Sequence, residues 1–439
     1  MKSIAFGTDG IRGKVGMFPI NEEGFKVVGR ACRLWLQRQN LPLTVAVGWD
    51  TRQSGSALAR GFAEGLGSGV EIIFLGVTPT PAISFYTQRE QVSLGVSITA
   101  SHNPYTDNGL KLFKLNGSKL RREEEAEIEA LCSEETSAED FGNPSIQTVS
   151  GSDYYLNTWK QKLPKDALKG RKIVLDTANG ATVFTTLPLL RYLGAELIVF
   201  GEQPNGENIN RDCGSEHADR LQTVVKQHGA WLGFAHDGDG DRIVVIDEQG
   251  QRLDGDQLLG LLALDFHKHG RLRNNCLVVT EESNSGLAKS LQPFGIRVAT
   301  CDVGDRNVFY KLEKEGAILG GENSGHVIFK DEAPTGDGLR VLLKLLKLAQ
   351  QKPLHERAQA ITLCPKCNAS LTVAEKRPLD QLSHLNAVKE RLGKACDRIR
   401  IRYSGTEAKL RFLVEGETQM LCEQTLAHLT EAARADFQR

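Results

Sequence analysis

Three stretches of this chain share one order of apolar and polar positions. Each has an apolar, β-branched run, an acidic residue, a few small polar residues and then a helix-compatible segment. They are Thr44–Asp50 leading to Ala57–Leu66, Lys172–Asp176 leading to Thr185–Leu193, and Leu277–Glu281 leading to Leu287–Leu291. Strand, polar cap and helix form the βα unit of an α/β layer. Recurrence at about a hundred residues predicts three related α/β domains. The last segment breaks the pattern. Ile399, Ile401 and Tyr403 alternate with Arg398, Arg400 and Arg402, which predicts a strand with one basic face. Ser404-Gly-Thr406 makes a turn, Leu410, Phe412 and Val414 alternate in a returning strand, and a helix over Met420–Phe437 closes a small α+β domain.

Between these units, Ser133–Ser152 is rich in Glu, Ser, Gly and Asn and reads as a linker, with a helix restarting at Asp153. Further boundaries are expected near Gly250–Gly255 and Ile361–Lys366. The expected division is 1–150, 151–252, 253–362 and 363–439. Composition changes little in this picture. With 439 residues, 40% hydrophobic and 25% charged, the chain suits a multidomain soluble protein. A net charge of −1 argues against nucleic acid or an anionic membrane as a general partner. No apolar run reaches bilayer length, and with Met1–Phe6 running straight into Gly7 no secretory signal is expected. A cytoplasmic protein is expected. Its nine cysteines include one Cys364-Pro-Lys-Cys367 pair, weak evidence for zinc, and read as incidental reduced thiols.

The most informative motif is Asp237-Gly-Asp-Gly-Asp-Arg242, between two strand-like runs, Ala230–His236 and Ile243–Ile246. Three carboxylates at alternate positions repel unless a cation sits among them. Oxygen-only ligands suit a hard ion such as Mg²⁺ or Ca²⁺. Two other readings stay open at this point. One is a solvated acidic turn. The other is an EF-hand ending at Glu248, against which stand Arg242 in place of the required glycine and the strand-like flanks.

Four more segments carry candidate chemistry. Thr99-Ala-Ser101-His102-Asn103-Pro104 follows the apolar strand Ser93–Ile98 and can present a serine hydroxyl, with Lys111 shortly beyond. Gly7–Gly13 is a glycine-rich loop with Arg12 as a bidentate phosphate ligand. Glu322, Asn323, Ser324 and His326 sit between the strands Ala317–Leu319 and Val327–Phe329 and offer the directional donors and acceptors that sugars need. Arg402, Ser404, Gly405, Thr406 and Arg411 combine guanidinium groups with a turn suited to an anion. Each has a bland alternative as a capping turn, structural loop or solvated hairpin. Together they describe a divalent cation, a serine and phosphate- and sugar-binding loops, the parts of in-line phosphoryl transfer.

In order and spacing, Gly7–Gly13, Thr99–Pro104, Asp237–Arg242, Gly320–His326 and Arg402–Thr406 resemble the five loops of the α-D-phosphohexomutase superfamily across essentially the whole chain. Pro204–Asn210, Cys213–His217, Glu322–Val327 and Thr335–Gly338 are similar to its bacterial phosphoglucosamine mutase branch. The resemblance implies three doubly wound α/β domains and a smaller C-terminal α+β domain, arranged like a heart around a central cleft. It implies that Ser101 is phosphorylated and that Asp237, Asp239, Asp241 and the phosphoserine hold one Mg²⁺ per subunit. Lys111 and His326 match acid/base positions, and Arg12 and Arg242 match residues near the moving phosphoryl group. His102, Glu322, Asn323 and Ser324 match sugar contacts, while Arg402, Ser404, Gly405, Thr406 and Arg411 match the grip on the non-reacting phosphate. The chain departs from the family's usual residues at His236, Glu282, Asn307, Tyr403 and Ala408.

The activity so implied interconverts glucosamine 6-phosphate and glucosamine 1-phosphate through glucosamine 1,6-bisphosphate, feeding UDP-N-acetylglucosamine and cell-wall synthesis. The implied partner is a small sugar phosphate, with a homodimer left open. The alternatives are a phosphomannomutase/phosphoglucomutase, a phosphatase and a non-catalytic sugar-phosphate sensor.

Overall fold

A computed structural model describes residues 4–7, 9–133, 141–404 and 408–438. Its eighteen strands among those residues form four sheets. The first contains β1 (Ile11–Lys14), β2 (Thr44–Trp49), β3 (Glu71–Val77), β4 (Leu94–Ile98), β5 (Asp107–Lys114) and β6 (Ser145–Thr148), in the order β1-β5-β4-β2-β3-β6. The pairs β2–β3, β2–β4 and β3–β6 are parallel; β5 runs antiparallel to β4 and β1. Val45, Ala46 and Val47 are fully buried, as expected for a parallel strand covered on both faces. Helix Glu22–Arg38 starts at Asn21, whose side chain accepts from the Gly24 N–H, and buries Phe25, Val28, Cys32, Trp35 and Leu36 at helical spacing. At roughly 1.5–3 kcal/mol for each large apolar side chain removed from water, this stripe is a main anchor of the layer.

The second sheet contains β7 (Lys172–Asp176), β8 (Glu196–Phe200), β9 (Leu232–His236), β10 (Ile243–Ile246) and β11 (Arg252–Leu253), in the order β11-β10-β9-β7-β8. The third contains β12 (Cys276–Thr280), β13 (Arg297–Cys301), β14 (Leu319–Gly321) and β15 (Val327–Phe329), in the order β13-β12-β14-β15. The first strand of each recurring unit is therefore real: β2, β7 and β12 all run buried and end at the polar turn that precedes a helix.

Two details differ from the sequence reading. The expected linker carries β6, whose four residues Ser145-Ile-Gln-Thr148 are all exposed on the edge of the first sheet. An edge strand needs no apolar alternation, so composition hid it. The following helix starts at Gly151 rather than Asp153, with Ser150 as its cap. The EF-hand does not survive, because strands and not helices flank the acidic loop. No helix of the described residues is long and apolar enough to cross a membrane.

By density of packing the chain forms two compact units. One comprises the residues up to Glu282 with Val298–Gln359; the other comprises Ser283–Arg297 with the residues from Ala360 onward. The second unit holds the antiparallel sheet of β16 (Lys366–Thr372), β17 (Arg398–Tyr403) and β18 (Lys409–Glu415), in the order β16-β18-β17. Leu410, Phe412 and Val414 of β18 face a core completed by Leu385, Cys422, Leu429 and Ala433. Asp436, near the end of helix Gln419–Phe437, accepts from the backbone N–H groups of His384 at 3.1 Å and Leu385 at 2.9 Å, capping helix Ser383–Gly393 from outside.

Candidate active site

The turn after β4 presents Ser101 in the left-handed region, φ 54°, with its side chain fully buried. Non-glycine residues seldom adopt that conformation, and here the surroundings enforce it. Arg52 Nη2 donates to the carbonyls of Ser101 at 3.3 Å and Asn103 at 2.6 Å. Asn210 Nδ2 donates to the same two carbonyls at 2.9 and 3.0 Å. The loop is held from β2's end on one side and from the 204–217 segment on the other.

Facing it is the acidic loop between β9 and β10. Asp237, Asp239 and Asp241 are 0–2% exposed, and one oxygen from each lies within 4.8 Å of the others. Ser101 Oγ donates to Asp237 Oδ2 at 2.6 Å. The other Asp237 oxygen accepts from the N–H groups of Gly240 at 3.1 Å and Arg242 at 3.2 Å. Thr80 Oγ1 donates to Asp239 Oδ2 at 2.7 Å. Gly238 is required by close approach: a Cβ there would meet the Ser101 carbonyl oxygen and Ile209 Cδ1, each at 2.7 Å. Gly240 turns the loop with φ +75°.

Charge is balanced from the next strand. Lys111 on β5 places Nζ 2.9 Å from Asp239 Oδ2, 2.7 Å from Asp241 Oδ2 and 3.2 Å from Asp9. Burial pushes the Asp237 carboxyl well up, with Asp239 and Asp241 adding to the rise. Burial also raises Asp241, but Lys111, with His326 and Arg242, pulls it down to about 2. Burial opposes the Lys111 charge, yet the surrounding carboxylates hold its pKa well above the usual lysine value. Asp239 Oδ1 and Asp241 Oδ1 are buried without a hydrogen-bond partner. Three converging carboxylates with two unsatisfied oxygens suit a hard divalent cation.

The remaining wall belongs to a cavity of about 600 Å³ lined by Arg12, Arg242, Glu322, Ser324 and His326 among others. Arg12 on β1 pairs with Asp9. Arg242 Nη1 donates to His102 Nδ1 at 3.3 Å. Burial lowers the His102 pKa, and the neighbouring Arg242 and Arg12 lower it further. His326, just before β15, brings Nε2 within 3.3 Å of Asp305 Oδ2 as an ion-pair contact without hydrogen-bond alignment. Burial works against the imidazolium, and the Asp305 carboxylate outweighs it, raising the pKa.

Residues 3–139, 153–250 and 254–363 match domains I, II and III of Phosphoglucomutase/phosphomannomutase, each described as alpha/beta/alpha. A Phosphoglucosamine mutase of Syntrophotalea carbinolica is 40% identical over 434 residues, covering 95% of this chain and 94% of that protein. The chain belongs to the phosphohexomutase superfamily. Its fold is that of a Phosphoglucomutase/phosphomannomutase family protein from Burkholderia thailandensis, with TM-score 0.81 at 23% identity, covering 98% of this chain and 97% of that one. It is also that of an Aspergillus fumigatus N-acetylphosphoglucosamine mutase, solved with GlcNAc-6P and magnesium, with TM-score 0.67 at 17% identity and 99% and 96% coverage.

Within this phosphohexomutase the sequence-derived residues separate into three groups. Ser101, His102, Lys111, Arg12, Arg242, His326 and the three aspartates surround one buried centre. Glu322, Asn323 and Ser324 share the cavity wall. Glu322 is fixed by the Gly304 N–H at 3.0 Å and pushed up by burial, Asn323 Nδ2 donates to the Glu282 carbonyl at 3.2 Å, and Ser324 is exposed. In the C-terminal unit, Arg402 stands directly opposite Arg411 across β17 and β18, both exposed, and Ser404 is buried with its N–H bonded to Lys409 O at 2.8 Å. Gly405 and Thr406 lie outside the described residues.

The sequence reading did not single out Asp9, Thr80, Lys119, Asp305, Asn210 or the Asp50–Arg52 pair. Thr80 lies 159 residues from the aspartate it contacts, so no local spacing could reveal it. His236, noted as a departure, is explained by packing. It is fully buried between Thr186 Oγ1 at 3.1 Å and the Arg242 carbonyl at 3.3 Å, and burial lowers its pKa to about 4.

Proposed function

We propose that this protein is a phosphoglucosamine mutase, interconverting glucosamine 6-phosphate and glucosamine 1-phosphate through a phosphoserine and glucosamine 1,6-bisphosphate. The observation that carries the reading is the Ser101 hydroxyl hydrogen-bonded to Asp237 inside the buried aspartate cluster. It occurs in a chain so similar to a Phosphoglucosamine mutase.

In the proposed cycle Ser101 carries the phosphoryl group. The P–Oγ bond breaks as O1 of the sugar bonds to phosphorus, and the O1 proton passes through an acid/base group to Oγ. Lys111 and His326 are the candidates, and a cation among Asp239 and Asp241 would neutralise the charges that hold Lys111 protonated. The bisphosphate turns over, its 6-phosphoryl returns to Ser101 Oγ, and the proton returns to O6 of the leaving sugar. Asp237, Asp239, Asp241 and the phosphorylated Ser101 would hold one Mg²⁺, which supplies charge neutralisation at the phosphoryl oxygens. Arg12 and Arg242 bind those oxygens as cationic donors. His102, Glu322, Asn323 and Ser324 orient the sugar, and Arg402, Ser404, Gly405, Thr406 and Arg411 hold the phosphate that is not reacting. The same reading divides the chain into segments 1–150, 151–252, 253–362 and 363–439. The product feeds UDP-N-acetylglucosamine synthesis.

Coupled assays with glucosamine, glucose and mannose 6-phosphates, Mg²⁺ and a hexose 1,6-bisphosphate primer test it. The highest kcat/KM is expected for glucosamine 6-phosphate. A large preference for mannose or glucose 6-phosphate would instead make the chain a phosphomannomutase/phosphoglucomutase, and release of free phosphate without isomer exchange would make it a phosphatase.

A further inference from the structure

The proposed cycle assigns no task to Lys119, although this lysine is 9% exposed and sits between two functional groups. Its ammonium forms ion pairs with Asp9 and with Asp305. Asp9 also pairs with Arg12, and Asp305 Oδ2 approaches His326 Nε2 at 3.3 Å. Alternating charges therefore run Arg12, Asp9, Lys119, Asp305, His326. Asp9, Arg12, Asp305 and His326 all line the cavity, whereas Lys119 is not among its lining residues. The lysine backbone is itself anchored: its carbonyl accepts from the Tyr310 hydroxyl at 2.8 Å.

We propose that Lys119 is a positioning residue that sets the places of Arg12 and His326 by gripping the carboxylate paired with each. An ammonium carries several donors on one point charge and can bridge two carboxylates at once. Without it, the buried Asp305 keeps only His326 as a cationic neighbour and the half-buried Asp9 is left to Arg12 and Lys111, an imbalance that proteins relieve by moving the groups or neutralising them. Either response releases Arg12 or His326. Binding of the sugar and of the distant phosphate uses other residues, so the loss falls on kcat more than on KM.

The kinetic consequence rests on the mutase reading; the geometric one does not. Lys119→Met is expected to lower kcat about 30-fold or more on whichever hexose phosphate the wild type turns over, since small misplacements at a reacting centre carry penalties of that order. KM should stay within about threefold, and Lys119→Arg, which keeps the charge, should recover most of kcat. A crystal structure of Lys119→Met should show Arg12 or His326 displaced from Asp9 or Asp305. Wild-type kcat in Lys119→Met, no recovery in Lys119→Arg, or an unmoved Arg12 and His326 would each overturn the proposal. If the wild type turns over no hexose phosphate, the mutase reading fails and the crystallographic comparison still decides this one. Should Lys119→Met not fold, Asp305→Asn cuts the same link at its other end and must reproduce the kcat loss and the displacement.

Discussion

The acidic loop 237–242 and the arginine pair of β17 and β18 both handle charge, and they do so in opposite ways. The first gathers three carboxylates out of water and fixes them with backbone N–H groups, Thr80, Ser101 and Lys111. The second leaves Arg402 and Arg411 exposed and opposite one another on a small sheet. Buried, pre-oriented charge acts strongly on a reacting group because little reorganisation is needed. Exposed guanidinium groups act as an adaptable grip and are screened by water and salt. The difference predicts that damage to the first region removes turnover, while damage to the second weakens binding.

The largest effect should come from Ser101→Ala, which removes the group proposed to carry phosphate. Mutase activity is expected to fall by about a thousandfold or more in steady-state assays, the scale of losing a nucleophile. Retained turnover would break the contrast at its root. Chelation of divalent metal should abolish activity, with recovery on adding Mg²⁺. Asp239→Asn should lower kcat about a hundredfold or more by weakening that site. Next comes Gly238→Ala, where the new Cβ meets the Ser101 carbonyl oxygen at 2.7 Å. Overpacking of this kind costs about 1–3 kcal/mol in unfolding free energy, and activity should fall with it because the serine loop must shift.

Smaller and different in kind is Arg402→Ala. It should raise KM about ten- to a hundredfold with kcat changed much less, the size of losing a charge-assisted hydrogen bond. An equal fall in kcat with unchanged KM would erase the distinction between the two regions.

The smallest effect concerns stability. Burial raises the Asp436 carboxyl, but the N–H of Leu385 and the ring and N–H of His384 pull it below the ordinary value. A carboxyl depressed in the folded state contributes stability above its unfolded pKa of about 4, and the contribution is lost as pH falls through the lower folded value. Asp436→Asn should therefore destabilise the C-terminal unit at neutral pH and reduce its acid sensitivity in thermal melts.

What could be read from the sequence follows the same division. The alternation of Arg398–Tyr403 is local, so the strand and its basic face were legible directly. β2, β7 and β12 were legible because apolar runs ending at a polar turn mark parallel strands. The Asp-Gly-Asp-Gly-Asp spacing pointed to a cluster of carboxylates suited to a divalent cation, and the structure brings the three together, but their supports were hidden. Lys111 reaches Asp241 across 130 residues, and Asn210 reaches the Ser101 carbonyl across 109. Such partners meet only through the fold. β6 was missed because an exposed edge strand carries no apolar pattern, and the Asp9–Lys119–Asp305 chain was missed because each member looks like an ordinary surface charge.

The central claim is that Ser101, inside the aspartate cluster, carries the transferring phosphoryl group. Peptide mass spectrometry after incubation with a hexose 1,6-bisphosphate and Mg²⁺ tests it most directly. A single phosphoryl group is expected on Ser101, exchanging with the sugar pool when glucosamine 6-phosphate is added. Phosphate on another residue, or none on Ser101 while mutase turnover proceeds, would contradict the account.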